Sequence, residues 1–371
     1  MRVAPVENHI ARHELLRAAI DTAGLGAMLV TALPNIAYLT GVFASAGALL
    51  VTRDQLRLVV DGRYRGIAEA RQRELQALTL IEVPSAGSYE ESIAAELAGL
   101  GVRTGFEASD VSVRRYRDLM SRLPKGGGSD LVETEGMVES LRSVKDSWEL
   151  ERLRDAGERL STAAKCIIPK ALAGIAESGL AEVIAAEIRR VGFDKPAFDT
   201  IVASGPHSAL PHHRAGQRCL TDGDLVVLDF GGMLDGYAVD LSRTVAVGRP
   251  SERQRQLYEQ VAEAQAAAYA ATAPGVTTGV VDAAARGVLE AAGLGEAFCH
   301  GTGHGLGLEV HERPRVARSR AGRADETLRA GMVFTLEPGA YLAGWGGVRI
   351  EDDVVVTGGG AEWLTDVPRF L

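Results

Sequence analysis

The sequence predicts a two-domain α/β (α+β) protein. Three observations carry this expectation: a length beyond one typical core, an alternation of helical and strand-like patterns in the first third, and carboxylates set inside apolar strand patterns in the remainder. A chain of 371 residues exceeds what one hydrophobic core usually organises. Hydrophobic residues make up 46% and charged residues 24%, an ordinary globular balance.

A helical pattern with Ile10, Leu15, Leu16, Ala19 and Ile20 ends near Gly24. Strand-like runs follow at Ala27 to Val30, Ala48 to Val51 and Leu58 to Val60. Tyr64 to Arg73 reads as a helix, Leu80 to Val83 as a strand, and Tyr89 to Leu100 and Val111 to Leu119 as helices. Such alternation is that of an α/β domain. Pro124 to Ser129 is a loop by its glycines. A long helix begins near Asp146, where Asp146 and Glu149 have capping-box spacing and Glu151, Arg152 and Arg154 are assigned to its exposed side. The domain boundary is placed just before it, near residue 140, giving domains 1–138 and 139–371. The second domain holds two more long helical patterns, Glu252 to Ala271 and Thr278 to Ala292, among strand-rich, glycine-rich segments. No repeat of 20–50 residues is present.

Composition narrows the function classes. A net charge of -9 argues against a general nucleic-acid binder. No apolar run approaches the length of a membrane-spanning helix. The first twenty residues are interrupted by His9, Arg12, His13, Glu14 and Arg17, unlike a secretory signal. Cys166, Cys219 and Cys299 are odd in number and far apart. They read as buried thiols in a reducing cytoplasm rather than as a disulfide framework.

The informative residues are acids in apolar strands. Asp229 lies in Leu225-Val-Val-Leu-Asp-Phe230, and a buried carboxylate needs a partner. Asp235-Gly236 signals a two-residue hairpin turn. With those two residues as the turn, Gly231 faces Asp240 and Asp229 faces Ser242. Asp229 and Asp240 then share a face as diagonal neighbours, roughly 7–8 Å apart by backbone. Two readings stay open for the pair: a cation between like charges, or ion pairs with Arg243 or another base. Glu337 ends Met332-Val-Phe-Thr-Leu-Glu337, and Glu351 lies in Val348-Arg-Ile-Glu351. Each alone reads as a strand-end surface acid; with the hairpin pair they make a four-carboxylate set.

Three of the eight histidines, His300, His304 and His311, fall within twelve residues among glycines, and His212 and His213 are adjacent. The glycine run lacks a dinucleotide fingerprint, because Leu306 stands where that pattern needs glycine. A zinc-binding His-Glu-x-x-His helix is absent, since Pro314 follows His311-Glu312 too closely. Four carboxylates and one histidine make a hard, oxygen-rich site that favours manganese or a similar divalent ion. Two such ions would neutralise the carboxylates and activate water for hydrolysis. These residue types alone do not name a substrate.

The spacing of Phe198 to His212, Asp229 to Thr244, His300 to Pro314 and Thr335 to Glu351 resembles the pita-bread superfamily of methionine aminopeptidase, aminopeptidase P, prolidase and creatinase. Asn35-Ile-Ala-Tyr-Leu-Thr-Gly41 and Val60-Asp-Gly-Arg-Tyr64 resemble the creatinase-like N-terminal domain of that superfamily. The resemblance implies a catalytic pita-bread domain with Asp229, Asp240, His304, Glu337 and Glu351 as ligands of two divalent ions, Asp240 and Glu351 bridging. It implies Mn2+ as the ion, with Co2+ or Zn2+ as substitutes. It makes Glu337 a proton shuttle and assigns His212 and His311 to substrate and the developing oxyanion. His300 and Arg349 become supporting residues. Val239 and Ser242 stand where the family often has serine and threonine, so hydrogen bonds behind the ligands are expected to differ. Prolidase and aminopeptidase P act on bonds preceding proline. The expected activity is Xaa-Pro dipeptidase, the alternative aminopeptidase P on longer peptides, and a remoter alternative a non-enzymatic binding protein on the same fold. A cytoplasmic homodimer taking Xaa-Pro dipeptides or short peptides is expected, with neither nucleic acid nor membrane as partner.

Overall fold

The computed structural model describes residues 1–124, 130–319, 322, 324–369 and 371, so the expected loop lies outside the described residues apart from Pro124. The chain divides into two compact units, Val3–Arg142 and Met1–Arg2 with Ser143–Leu371.

In the first unit, strands β1 (Ala27–Val30), β2 (Ala48–Thr52), β3 (Leu56–Val60), β4 (Leu78–Glu82), β5 (Thr104–Glu107) and β6 (Leu131–Thr134) form one sheet. Among the described residues its order is β4-β3-β2-β1-β5-β6. β1, β2 and β3 pair antiparallel, while β3–β4, β1–β5 and β5–β6 are parallel. Helices α1 (Val6–Thr22), α2 (Leu33–Thr40), α3 (Arg65–Glu74), α4 (Tyr89–Ala98), α5 (Val113–Arg122) and α6 (Met137–Arg142) complete the unit. The strands expected at β1, β2, β3 and β4 are all present. Helix α2, made by the motif that begins at Asn35, has no counterpart among the periodic patterns.

The face of α1 departs from its pattern. Ile10 and Leu15 are exposed, whereas His9, Arg12 and His13 are buried with Leu16 and Ile20. The reason is the C-terminus of α2, whose last carbonyls have no helical donors. Arg12 Nη1 donates to Tyr38 O at 2.9 Å, His9 Nδ1 meets the same oxygen at 3.2 Å, and His13 Nε2 meets Leu39 O at 2.6 Å. Polar side chains thus satisfy a buried helix end. The thiols also differ from expectation: Cys166, Cys219 and Cys299 are free but exposed. Among the described residues, no helix is long and apolar enough to cross a membrane.

The second unit carries α7 (Ser147–Ile167), α8 (Glu177–Arg190), α9 (Glu252–Ala271) and α10 (Thr278–Ala291). Its first strands are β7 (Lys195–Pro196), β8 (Ile201–Ser204), β9 (Leu225–Leu234) and β10 (Tyr237–Ala246). They are followed by β11 (Gly303–Gly305), β12 (Glu312–Val316), β13 (Val333–Leu336), β14 (Gly339–Leu342), β15 (Gly346–Arg349), β16 (Asp352–Thr357) and β17 (Gly360–Trp363). β9 pairs antiparallel with β10, β7 and β8. A five-stranded sheet runs β12-β11-β13-β16-β17, and β14–β15 is a hairpin.

The capping box at α7 forms as its spacing predicts: Glu149 N donates to Asp146 Oδ1, and Asp146 N to Glu149 Oε2, both at 3.0 Å. Arg152 does not lie on the exposed side of this helix. It is buried and faces Asp155 at 3.6 Å and Asp235 at 3.8 Å. Packing of α7 against β9 and β10 brings that charge to the hairpin turn.

The hairpin register matches the pairing rule: Asp240 faces Gly231 and Ser242 faces Asp229. Asp235 and Gly236 have φ of 52° and 87°, the positive values that a type I′ turn requires. Val226, Leu228 and Phe230 of β9 and Val239 and Leu241 of β10 share a core with Leu153, Ala156 and Leu160 of α7. Alternation along a strand therefore turns Asp229 and Asp240 to the other face. Gly236→Val forces a β-branched side chain into left-handed backbone, at a cost of about 1–2 kcal/mol. A melting temperature lowered by roughly 2–8 °C in a thermal scan is the expected outcome.

Candidate metal centre

The hairpin face meets the stretch that leads into the second sheet at Glu351. Ser242 forms an isolated antiparallel bridge with Glu351, whose N–H donates to Ser242 O at 3.1 Å. Side chains reinforce it. Ser242 Oγ donates to Glu351 Oε2 at 2.6 Å and accepts from Arg349 Nε at 3.0 Å. Thr244 Oγ1 donates to Arg349 O and accepts from Arg349 N, both at 3.0 Å. Glu351 is thereby docked onto the strand that carries Asp240.

His304 arrives from β11. Its backbone N–H donates to Thr335 Oγ1 at 3.1 Å, and Glu337 N, just past β13, donates to Thr302 O at 2.8 Å. β11 approaches β13 so closely that a Cβ on Gly303 would lie 1.8 Å from Thr335 O, which explains glycine at this position. Asp240, His304 and Glu351 each present one ligand atom within 4.8 Å of the other two. His304 Nε2 lies 3.6 Å from Glu337 Oε1 and 3.9 Å from Asp240 Oδ2. Asp229 joins from β9 with one oxygen bound to Arg349 Nη2. The five expected ligand positions thus converge, on five different stretches of chain.

The donor set fits a cation on three grounds. First, Asp229 Oδ1 and Asp240 Oδ1 are buried without a hydrogen-bond partner, an arrangement that is costly for carboxylates. Second, His304 Nδ1 lies 3.2 Å from Gly305 O. That carbonyl can only accept, so Nδ1 carries the hydrogen and the Nε2 lone pair faces the acids. Burial lowers the His304 pKa, which keeps the ring neutral, as a ligand must be. Third, charge is unbalanced. Burial, then repulsion from Glu351 and Asp229, pushes the Asp240 pKa well up. Burial, then Glu337 and Asp229, does the same to Glu351, and burial raises Glu337. Arg349 is the cation beside Asp229. Arg243, the base considered for the hairpin acids, instead pairs with Asp352 at 2.7 Å on the opposite face.

Around the donors lies a polar chain with a definite direction. Arg349 Nη1 donates to Tyr341 OH at 2.8 Å, and Tyr341 OH lies 2.9 Å from His300 Nε2. His300 Nδ1 meets Gly301 O at 2.7 Å. Nδ1 therefore carries the ring hydrogen, and Tyr341 donates to Nε2. His300 is half-buried at the near edge, 4.0 Å from Glu337 Oε2. His212 and His311 are exposed. The His311 ring stands 4.2 Å from the ring of His304, and both His212 and His311 act electrostatically within the cluster.

Sequence reasoning passed over two residues here. Tyr341 left no signal. Asp353 did: two positions beyond Glu351 on a strand, it shares that residue's face. It is fully buried, accepts from Asp240 N at 3.0 Å through Oδ2, and has no partner for Oδ1.

Residues 151–358 match the model of metallopeptidase family M24, and residues 12–144 match the creatinase/prolidase N-terminal domain. The chain belongs to metallopeptidase family M24. It is 33% identical over 354 residues to an Xaa-Pro dipeptidase of Pyrococcus horikoshii, covering 95% of this chain and 96% of that one. The structure superposes on an Xaa-Pro dipeptidase from Bacillus anthracis with a TM-score of 0.90 at 34% identity, over 98% of this chain and 99% of the other. It superposes on an X-Pro aminopeptidase from Thermotoga maritima with a TM-score of 0.85 at 33% identity, over 97% and 98%.

The raised carboxylate pKa values have a thermodynamic consequence. In the metal-free folded chain burial makes Asp240, Glu337 and Glu351 bind protons more tightly than in the unfolded chain. Stability contributed there is lost as pH rises above the ordinary carboxylate values toward the raised ones. Bound cations remove that penalty. Chelation is expected to lower the melting temperature by roughly 5–15 °C at pH 7.5, from about 3–4 kcal/mol of lost binding. The difference between loaded and stripped protein should shrink at pH 5.5, read by paired thermal scans.

Proposed function

We propose that this chain hydrolyses the peptide bond preceding proline, with Xaa-Pro dipeptides as substrates. The observation that carries the chemistry is a pair of buried aspartate oxygens without partners, in a carboxylate cluster toward which the His304 Nε2 lone pair is turned. The substrate reading comes from full-length similarity to proteins named Xaa-Pro dipeptidase. Comparable similarity to an X-Pro aminopeptidase supports the second reading, removal of the first residue from longer peptides.

Asp229, Asp240, His304, Glu337 and Glu351 would hold the two divalent ions. The oxygen-rich donor set suits Mn2+, with Co2+ or Zn2+ able to substitute. When bound, the ions neutralise the carboxylates and supply Lewis-acid activation of water and of the scissile carbonyl. Glu337, whose pKa is raised by burial, accepts the proton of the attacking water and passes it to the proline nitrogen as the C–N bond breaks. The new C–O bond leaves one product with a carboxylate and frees proline with a secondary amine. His212 and His311, exposed beside the cluster, offer ring donors to substrate and to the oxyanion. Arg349 fixes Asp229, the Gly301 carbonyl fixes the tautomer of His300, and Tyr341 holds the ring from the other side. The proline nitrogen has no N–H, so a site acting on it needs no acceptor there. A homodimer, from the family resemblance, and a cytoplasmic setting, from the odd number and wide spacing of the cysteines, are part of this proposal.

Two predictions separate these roles. With Mn2+ present, Ala-Pro should be cleaved faster than Ala-Ala and faster than Ala-Pro-Ala, measured by release of the free amino acid. Equal rates on Ala-Pro and Ala-Ala would refute proline specificity, and preference for the tripeptide would favour the aminopeptidase. In elemental analysis, Asp240→Ala should lose metal. His311→Ala should keep it while kcat drops about 10²–10³-fold, the usual loss for one oxyanion donor.

A further inference from the structure

The loop that carries His212 is held by a buried anchor outside the metal-binding set. We infer that Glu177, with His207 and His213, is a positioning group for His212. The inference rests on the role proposed above for His212.

Glu177 opens α8 and is fully buried. Its Oε1 accepts from Ser204 N at 2.9 Å, Ser204 Oγ at 2.6 Å and His207 Nδ1 at 2.9 Å. Its Oε2 accepts from His213 Nε2 at 2.9 Å and Gly216 N at 3.2 Å. Burial works against the charge, but the bonds from Ser204, His213 and His207 outweigh it and pull the Glu177 pKa to about 2. The anchor is therefore an anion throughout the neutral range. All five donors come from residues 204–216, so one carboxylate gathers the whole segment. The three side chains have the spacing of a metal site. A carboxylate offers about four lone-pair positions, however, and five donors already occupy them.

The segment is pinned on both sides of His212. On its N-terminal side, Pro211 O accepts from Arg349 Nη1 at 3.3 Å, and Ser208 Oγ accepts from Gly347 N at 2.9 Å. On its C-terminal side, the His213 side chain is tied to Glu177, and its ring packs at a tilt of 31° against His207 with centroids 4.2 Å apart. The backbone is locked again where Glu177 N donates to Arg218 O at 2.9 Å and Ser178 N to Gly216 O at 2.9 Å. His212 is exposed between these anchors. Its aim depends on Arg349, which already serves the metal-binding face, and on Glu177, which touches none of the ligands. A donor displaced by about 1 Å loses roughly 10²-fold in rate, so an anchor that limits this displacement bears directly on turnover.

The test is a double-mutant cycle in the manganese-loaded enzyme with Ala-Pro as substrate. Glu177→Gln and His213→Leu are each made in the wild-type and in the His212→Ala background. Metal content and melting curves are recorded for every variant. In the wild-type background each is expected to lower kcat about 10- to 100-fold, with metal content unchanged. In the His212→Ala background the further loss should be under about threefold, because the group being positioned is gone. Equal losses in both backgrounds overturn the inference, since they mark a structural role alone. Wild-type turnover in Glu177→Gln and His213→Leu beside reduced turnover in His212→Ala overturns it while leaving the role of His212 intact. Wild-type turnover in His212→Ala overturns that role and this inference with it. If Glu177→Gln loses its melting transition, His213→Leu, which keeps four of the five donors on Glu177, decides the outcome.

Discussion

Like charges buried on one face of a sheet repel, and the second unit is organised around that repulsion. Asp229 and Asp240 are driven to a common face by the alternation of β9 and β10, because the opposite face is committed to the apolar core beneath α7. Neither residue can turn away without exposing Leu228, Phe230, Val239 or Leu241 to a polar cavity. Glu337 and Glu351 are then brought up to the same face by backbone hydrogen bonds, from Glu337 N to Thr302 O and from Glu351 N to Ser242 O. The fold concentrates negative charge faster than its own cations can balance it. A bound cation relieves the imbalance, as does proton uptake by carboxylates whose pKa values burial has raised.

The residues around the acids divide this burden without removing it. Arg349 takes one oxygen of Asp229, and Ser242 takes one oxygen of Glu351. The remaining Asp229 oxygen and one of Asp240 stay unpaired. Arg243 is close in sequence but serves Asp352 on the opposite face. Strand alternation along β10 turns Arg243 away from the face that carries Asp240 and Ser242. Arg349 also joins Tyr341, Pro211 and Ser242, so one guanidinium couples Asp229, the His300 chain and the His212 segment. The planar fork of arginine permits this; a lysine ammonium could not reproduce the geometry.

Local signals in the sequence were strong where one residue pair decides a conformation. Asp235-Gly236 implied the turn, and the turn implied the register that sets Asp229 beside Asp240. Asp146 and Glu149 implied the start of α7. Periodicity misled where polar side chains serve a neighbouring element. His9, Arg12 and His13 are buried in α1 because they cover the carbonyl end of α2. Arg152 is buried in α7 because it meets the hairpin turn. In both places the partner is distant in sequence, and no pattern within the helix reports it.

From the sequence alone, the hairpin, the acids within apolar strands and the clustered histidines were legible, since each depends on spacing of a few residues. What only the tertiary structure decided is how five stretches of chain meet: the bridge from Ser242 to Glu351, the oxygens left unpaired, and the direction of the chain from Arg349 through Tyr341 to His300. The tie from Glu177 to the residues flanking His212 belongs there too. Turn chemistry and strand alternation act between neighbours and leave a mark in composition. Long-range hydrogen bonds depend on packing between elements more than a hundred residues apart, and neither end of such a bond carries a local signature of the other.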